Sequence, residues 1–184
     1  ASSEREGFVN WMRLLFSQPD ARTIPHRQAA DGLALRLGVK PAIAERSHAQ
    51  GSPGPIYTHF RLHNAAGLQR RKIQVLLRNG DAAVTFNDSV ALTLYWQDCD
   101  PNAAVEQILA TINRIRADEV VVLTRGYSSH EPYGRSPSCE CLSLQSARDA
   151  ARHHCTQKLV FETPFATLTS WTGNSDEHFD SSCV

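Results

Sequence analysis

No stretch of this chain approaches the ~18 consecutive apolar residues of a membrane-spanning helix, so no such helix is expected. Net charge is missing as well. Nineteen basic and nineteen acidic side chains cancel, so attraction to a polyphosphate would have to come from a local patch. A disulfide framework is also lacking. The five cysteines, at 99, 139, 141, 155 and 183, are odd in number and irregular in spacing, which favours a reducing, cytoplasmic setting. A chain that opens on Ala1 stays compatible with a removed signal peptide or with a cut from something longer. There is no internal repeat and no low-complexity segment. Three familiar catalytic signatures are absent: Gly-x-Ser-x-Gly, a Gly-rich phosphate loop and His-Glu-x-x-His.

What is present describes one domain over residues 1–184. The apolar share of 41% and charged share of 21% are ordinary for a soluble globular protein, and the length suffices for a substantial core. The most informative stretch runs from Lys72 to Arg125. Asn79-Gly80 is a two-residue turn signal. Folding there sets Arg78 opposite Asp81, Leu77 opposite Ala82, Val75 opposite Val84 and Ile73 opposite Phe86, which makes one face wholly apolar. Asn87-Asp88-Ser89 turns the chain into a third strand, with Val90, Leu92, Leu94 and Trp96 on one face. Asp100 caps a helix opened by Pro101, whose inward stripe is Val105, Ile108, Leu109, Ile112 and Ile115. Val120 to Leu123 is a continuous apolar run of the kind found in parallel strands buried on both faces.

Around this segment the signals are weaker. Ser3-x-x-Glu6 is a capping box ahead of Phe8, Trp11, Met12, Leu15 and Phe16, a first helix whose stripe packs on the core. A second helix starts at Pro25 with Ala29, Leu33 and Leu37 inward and stops at Gly38, although Gly32 weakens it. Residues 1–38 are therefore helical and 40–55 a surface loop. Ile56 to His63 alternates as a strand, with Thr58, Phe60 and Leu62 inward. His59 and His63 lie about 13 Å apart along it, too far to share an ion without a bend. A long loop covers 126–142. Ser143 caps another helix with Leu144, Ala147, Ala150 and Ala151 inward, Lys158–Phe161 forms a strand, Thr167–Thr172 is a candidate for one more, and the tail from 174 to 184 is loose.

These elements predict an α/β fold bordering on α+β. An antiparallel meander over about 56–97 continues through crossover helices into parallel strands at 119–125 and 158–163. Parallel strands would bring their carboxyl ends to one rim, where open α/β sheets place ligands. That rim would collect Asp98, Cys99, Asp100, Thr124, Arg125 and Glu162, with His130, Glu131, Cys139 and Cys141 from the long loop. The amino terminus of the Ser143 helix would open there and offer N–H groups to an anion. Thr124, Arg125 and Ser143 are the candidate ligand-binding residues.

Three chemistries suit such a rim. Cys99, His130, Cys139 and Cys141 make a Cys₃His set for Zn²⁺, although Cys-x-Cys is not the usual paired-cysteine spacing. A set using His153, His154 and Cys155 is disfavoured, because the intervening helix puts about 18 Å between its halves. The second chemistry is Mg²⁺-assisted hydrolysis by carboxylates such as Asp98. The element order of helix, three antiparallel strands, helix and strand is similar to the core of restriction-endonuclease-like nucleases. That resemblance implies an Asp on the second strand, which Asp81 or Asp88 could supply, and an acid-x-Lys on the third. The third strand, Ala91-Leu92-Thr93-Leu94-Tyr95-Trp96-Gln97, carries neither. The third chemistry is nucleophilic catalysis with His130 and Glu131 beside Ser128 and Ser129, against which a lone loop histidine is more often a plain surface residue.

The basic run Arg70-Arg71-Lys72 could meet nucleic acid, although a solvated charge run is the plainer explanation. The reading that results is a non-catalytic binding or regulatory module, meeting a protein partner or small ligand through the sheet edge and the 126–142 loop, with no membrane. A metal-assisted hydrolase is the alternative.

Overall fold

A computed structural model describes residues 24–40, 42–47, 53–64, 71–78, 80–129, 137–157 and 162–180. The expected first helix, Asn79, Arg70, His130, Glu131, the Lys158–Phe161 strand and the last four residues lie outside them. Among the described residues the fold is α+β, with three helices and two sheets, and every hydrogen-bonded strand pair is antiparallel.

The first sheet is a simple meander: β1 (Ala42–Ser47), β2 (Pro53–His63), β3 (Lys72–Leu77), β4 (Asp81–Phe86) and β5 (Ser89–Tyr95), in that spatial order. β3 and β4 pair in the register that the turn and alternation require, with Ile73 opposite Phe86, Val75 opposite Val84 and Leu77 opposite Ala82. The Arg78 amide donates to the Asp81 carbonyl at 2.8 Å, and their side chains pair at 2.6 Å. The next turn, from Phe86 to Ser89, also has two central residues. Asn87 and Asp88 have φ of 47° and 68°, the doubly positive pair of a type I′ hairpin, which Asn and Asp tolerate best after Gly. β5 departs from expectation at one residue. A bulge opposite Val84 and Thr85 shifts the register, so Leu92 and Leu94 stay inward while Val90 turns out, 58% exposed.

Two helices cover the inner face. α1 (Ile24–Leu37) ends at Gly38, whose φ of 63° and amide bond back to Ala34 terminate it. α2 (Pro101–Arg116) is capped by Asp100, which accepts from the amides of Asn102 and Ala103. Gly32 now has a reason: a Cβ there would sit 3.3 Å from Val105, so the glycine lets α1 press onto α2. Phe60, Phe86, Leu33, Ile73, Leu77, Ile108, Ile112 and Ile115 are fully buried between sheet and helices. Burying each such side chain contributes about 1.5–3 kcal/mol.

The second sheet has the order β7-β6-β8-β9, formed by β6 (Val120–Ser129), β7 (Ser138–Ser143), β8 (Glu162–Thr169) and β9 (Glu177–Asp180). α3 (Leu144–Cys155) lies across one face, burying Ala147 and Ala151 against Val121, Leu123, Ala166, Leu168 and Phe179. β7 and β8 both oppose β6 and so run the same way on either side of it, joined by α3.

The expected parallel continuation is therefore wrong. β5 and β6 belong to different sheets, and β8 runs against β6. The apolar run in β6 misled for a physical reason. Its alternate residues face two cores: Val121 and Leu123 meet α3, while Val120 and Val122 join the core of the first sheet. A central strand sandwiched between layers needs apolar residues on both faces whatever its direction. Three further corrections follow. Within the 126–142 loop, 126–129 and 138–142 are strand, since β6 runs to Ser129 and β7 begins at Ser138. The 40–55 loop contains β1 and the start of β2. The tail expected to be loose carries β9.

One polar loop ties the sheets together. Asp176 accepts from the amide and hydroxyl of Ser170 and pairs with Arg71. The Ser170 hydroxyl accepts from the amides of Gly173 and Ser175, and its carbonyl accepts from Arg71. Asp118, in the left-handed region at φ 58°, accepts from the amide and hydroxyl of Thr172. This loop holds Trp171 against Phe86, with ring centroids 6.1 Å apart. Arg71 and Lys72, two-thirds of the expected basic run, are thus in use: Arg71 in this loop, Lys72 paired with Asp88 at 2.8 Å.

Candidate functional site

Directly paired residues of a sheet share a face, so the registers of the second sheet define its side away from α3. One row runs across all four strands: Cys139 on β7, Thr124 on β6, Thr167 on β8 and His178 on β9. Cys139 and His178 are exposed, and the two threonines are half-buried. Beside it, Gly126 faces Phe165, and Phe165 faces Asp180. A Cβ on Gly126 would stand 2.5 Å from the Phe165 ring, so the ring lies over bare backbone. On the other side of the row, Cys141, Val122 and Thr169 lead into the first core. The result is a shallow polar surface with an aromatic ring at its border.

β7 is the outer strand of this surface. Among the described residues it pairs with β6 alone. Ser138 and Cys139 are exposed, and the Arg125–Glu140 ion pair, 2.5 Å on the opposite face, braces it against β6. Its other end meets the first sheet, where the Cys141 thiol donates to the Ser89 carbonyl at 3.3 Å. Burial pushes that thiol up to about 11, with Cys139 adding to the rise and a backbone hydrogen bond at Phe86 opposing it. Cys141 is therefore protonated near neutrality. Cys139 shares a hydrogen bond with the Thr124 hydroxyl at 3.4 Å.

The expected rim does not assemble. Asp98 and Cys99 lie in the turn before α2, where the Asp98 amide bonds Tyr95 and Cys99 contacts Gln107 and the Asp100 carbonyl. Cys141 touches the opposite end of β5, at Ser89. Six residues of strand, about 20 Å, separate Ser89 from Tyr95. Cys139 and Cys141 share a face, but among the described residues no group of three or more His, Cys, Asp or Glu side chains could hold a metal. Of the ligand-binding candidates, Thr124 lies on the open face, Arg125 on the α3 side with Glu140, and Ser143 at the far end of β7 as the cap of α3, accepting from the Ser146 amide. The amide of Leu144, at that helix start, donates to the Glu119 carbonyl.

Sequence reasoning missed His154. The sequence placed it only in a disfavoured metal set, but it is 6% exposed and its Nε2–H donates to the Gly126 carbonyl at 3.0 Å. Tyr127 meets it edge-on at 4.8 Å. The His178–Thr167–Thr124–Cys139 row was invisible too, because a row across four strands follows from register and not from spacing.

No family model matches the chain. No curated protein and no solved structure matches it significantly. No described helix is long and apolar enough to cross a membrane.

Proposed function

We propose that the chain is a non-catalytic binding module whose working surface is the β7 edge of the second sheet and the polar face beside it. The supporting observation is the outer strand itself. Ser138 to Glu140 are exposed or half-exposed and paired on one side only among the described residues, which leaves backbone donors and acceptors for an added strand. The partner that fits is an extended segment of another protein, its backbone paired along Ser138–Glu140 and its alternate side chains over Cys139 and Thr124. Thr124 keeps the ligand-contacting role expected of it, and Arg125 acts by bracing Glu140.

A peptide-display library selected against the full chain tests this. Enriched extended peptides should slow amide hydrogen exchange at Cys139, and Cys139→Pro, which removes the backbone donor that faces away from β6, should weaken them about tenfold or more. Protection confined to another strand would overturn the reading. The hydrolase alternative makes a different prediction: Mg²⁺- or Mn²⁺-dependent cleavage of nucleic acid, lost in Asp98→Asn, would replace the binding module.

A further inference from the structure

On its side away from α3, β7 carries two thiols, one exposed and one against the first core, whose spacing has a chemical consequence. Cys139 and Cys141 are two residues apart on one strand, opposite Thr124 and Val122 respectively, so both point to the same side. Neighbours of this kind are about 6.6 Å apart along the backbone, whereas a disulfide needs Cβ atoms about 3.5–4.5 Å apart. The pair therefore cannot close on itself without distorting β7. Two metal–sulfur bonds of about 2.3 Å hold their sulfurs roughly 4.6 Å apart. Rotating each thiol toward the other about χ1 reaches that separation without moving the backbone.

The geometry points to Cys139 and Cys141 as a two-coordinate thiolate site for a soft monovalent cation of the Cu(I) class. Zn²⁺ asks for four ligands, and among the described residues no third His, Cys, Asp or Glu joins the pair. Soft thiolates select Cu(I) and can hold it with two sulfurs. The surroundings are permissive: Thr124 offers its hydroxyl to Cys139, and the Arg125–Glu140 pair stands on the other face. Binding changes no oxidation state. The cation replaces the two thiol protons, which pass to water, and two sulfur–metal bonds form, leaving a complex of one net negative charge. The Cys141 thiol surrenders its hydrogen bond to Ser89 in the process. The site does not depend on whether a partner strand docks at the β7 edge.

Anaerobic titration of the full chain with Cu(I), in competition with a chromophoric bidentate chelator, is the test. The wild type should keep about one cation per chain with a new near-ultraviolet sulfur-to-metal absorption, while Cys139→Ser and Cys141→Ser each weaken retention about 100-fold, as losing an intramolecular second ligand does. Cys99→Ser should change nothing. Circular dichroism and a thermal melt show that the variants are folded, and Cys139→Ala serves as a second probe at an exposed position. Retention unaltered by either serine variant would overturn the site, as would no retention by the wild type. Equal retention of Zn²⁺ would also overturn it, because it requires a closed four-ligand centre.

Discussion

The two cores of this protein are built from different material. The core under the first sheet is filled by large side chains, among them Phe60, Phe86, Leu33 and three isoleucines of α2. The core under α3 rests on Ala147, Ala151 and Ala166 beside Leu123 and Leu168. Large side chains hold helix and sheet apart and bury much apolar area; alanines let the helix sit close and leave little slack. The first core should thus be most sensitive to removing volume, and the second sheet to adding it.

Phe86→Ala is the strongest test of the first half of that contrast. Phe86 is fully buried and meets Trp171, the anchor of the loop that joins the sheets. A loss of about 3–5 kcal/mol is expected in urea unfolding. A loss no greater than that of Val121→Ala, in the other core, would erase the distinction.

Gly126→Ala extends the second half to the face of that sheet away from α3. Its Cβ would enter the space of the Phe165 ring, and overpacking of this sort costs about 1–3 kcal/mol. Because the obstacle is a side chain, Phe165→Ala should make Gly126→Ala nearly neutral, and the double-mutant cycle measures the coupling directly. Additive losses would mean that the glycine is needed for another reason.

The same contrast explains what was readable in the sequence. The β3–β4 register was legible because alternation and a short turn agree, and α2 because Asp100, Pro101 and a clean apolar stripe coincide. The second sheet offers no such agreement. β7, Ser-Cys-Glu-Cys-Leu-Ser, lacks an apolar alternation, and the sequence between it and β6 carries no Asn-Gly or Asp-Gly turn signal. β6 is apolar on both faces, so its pattern carries no direction. The proposed rim fell with that direction. Cys139 and Cys141 share a face because they sit in a strand; as loop residues they had no defined relation.

Asp100→Ala probes the connection between the halves, since α2 carries the chain from β5 to β6. Loss of two capped amides should cost about 1 kcal/mol. Asp100→Asn should recover most of it, which separates capping from any catalytic need for a carboxylate. A full loss with Asn would point to charge.

The smallest effect concerns His59, on β2 of the first sheet. Its pKa lies below the ordinary value, first because burial penalises the imidazolium and then because Arg61 and Lys72 repel it. The unfolded chain, near the usual ~6.5, therefore binds more protons than the folded one as pH falls through and just below that value. Stability consequently rises with pH across this window and is lost as the solution is acidified from neutrality. His59→Gln should flatten that part of the profile while leaving stability at pH 8 nearly unchanged. Lys72→Met, by removing one repelling charge, should shrink the slope without abolishing it. A slope that survives His59→Gln intact would assign the titration to another group.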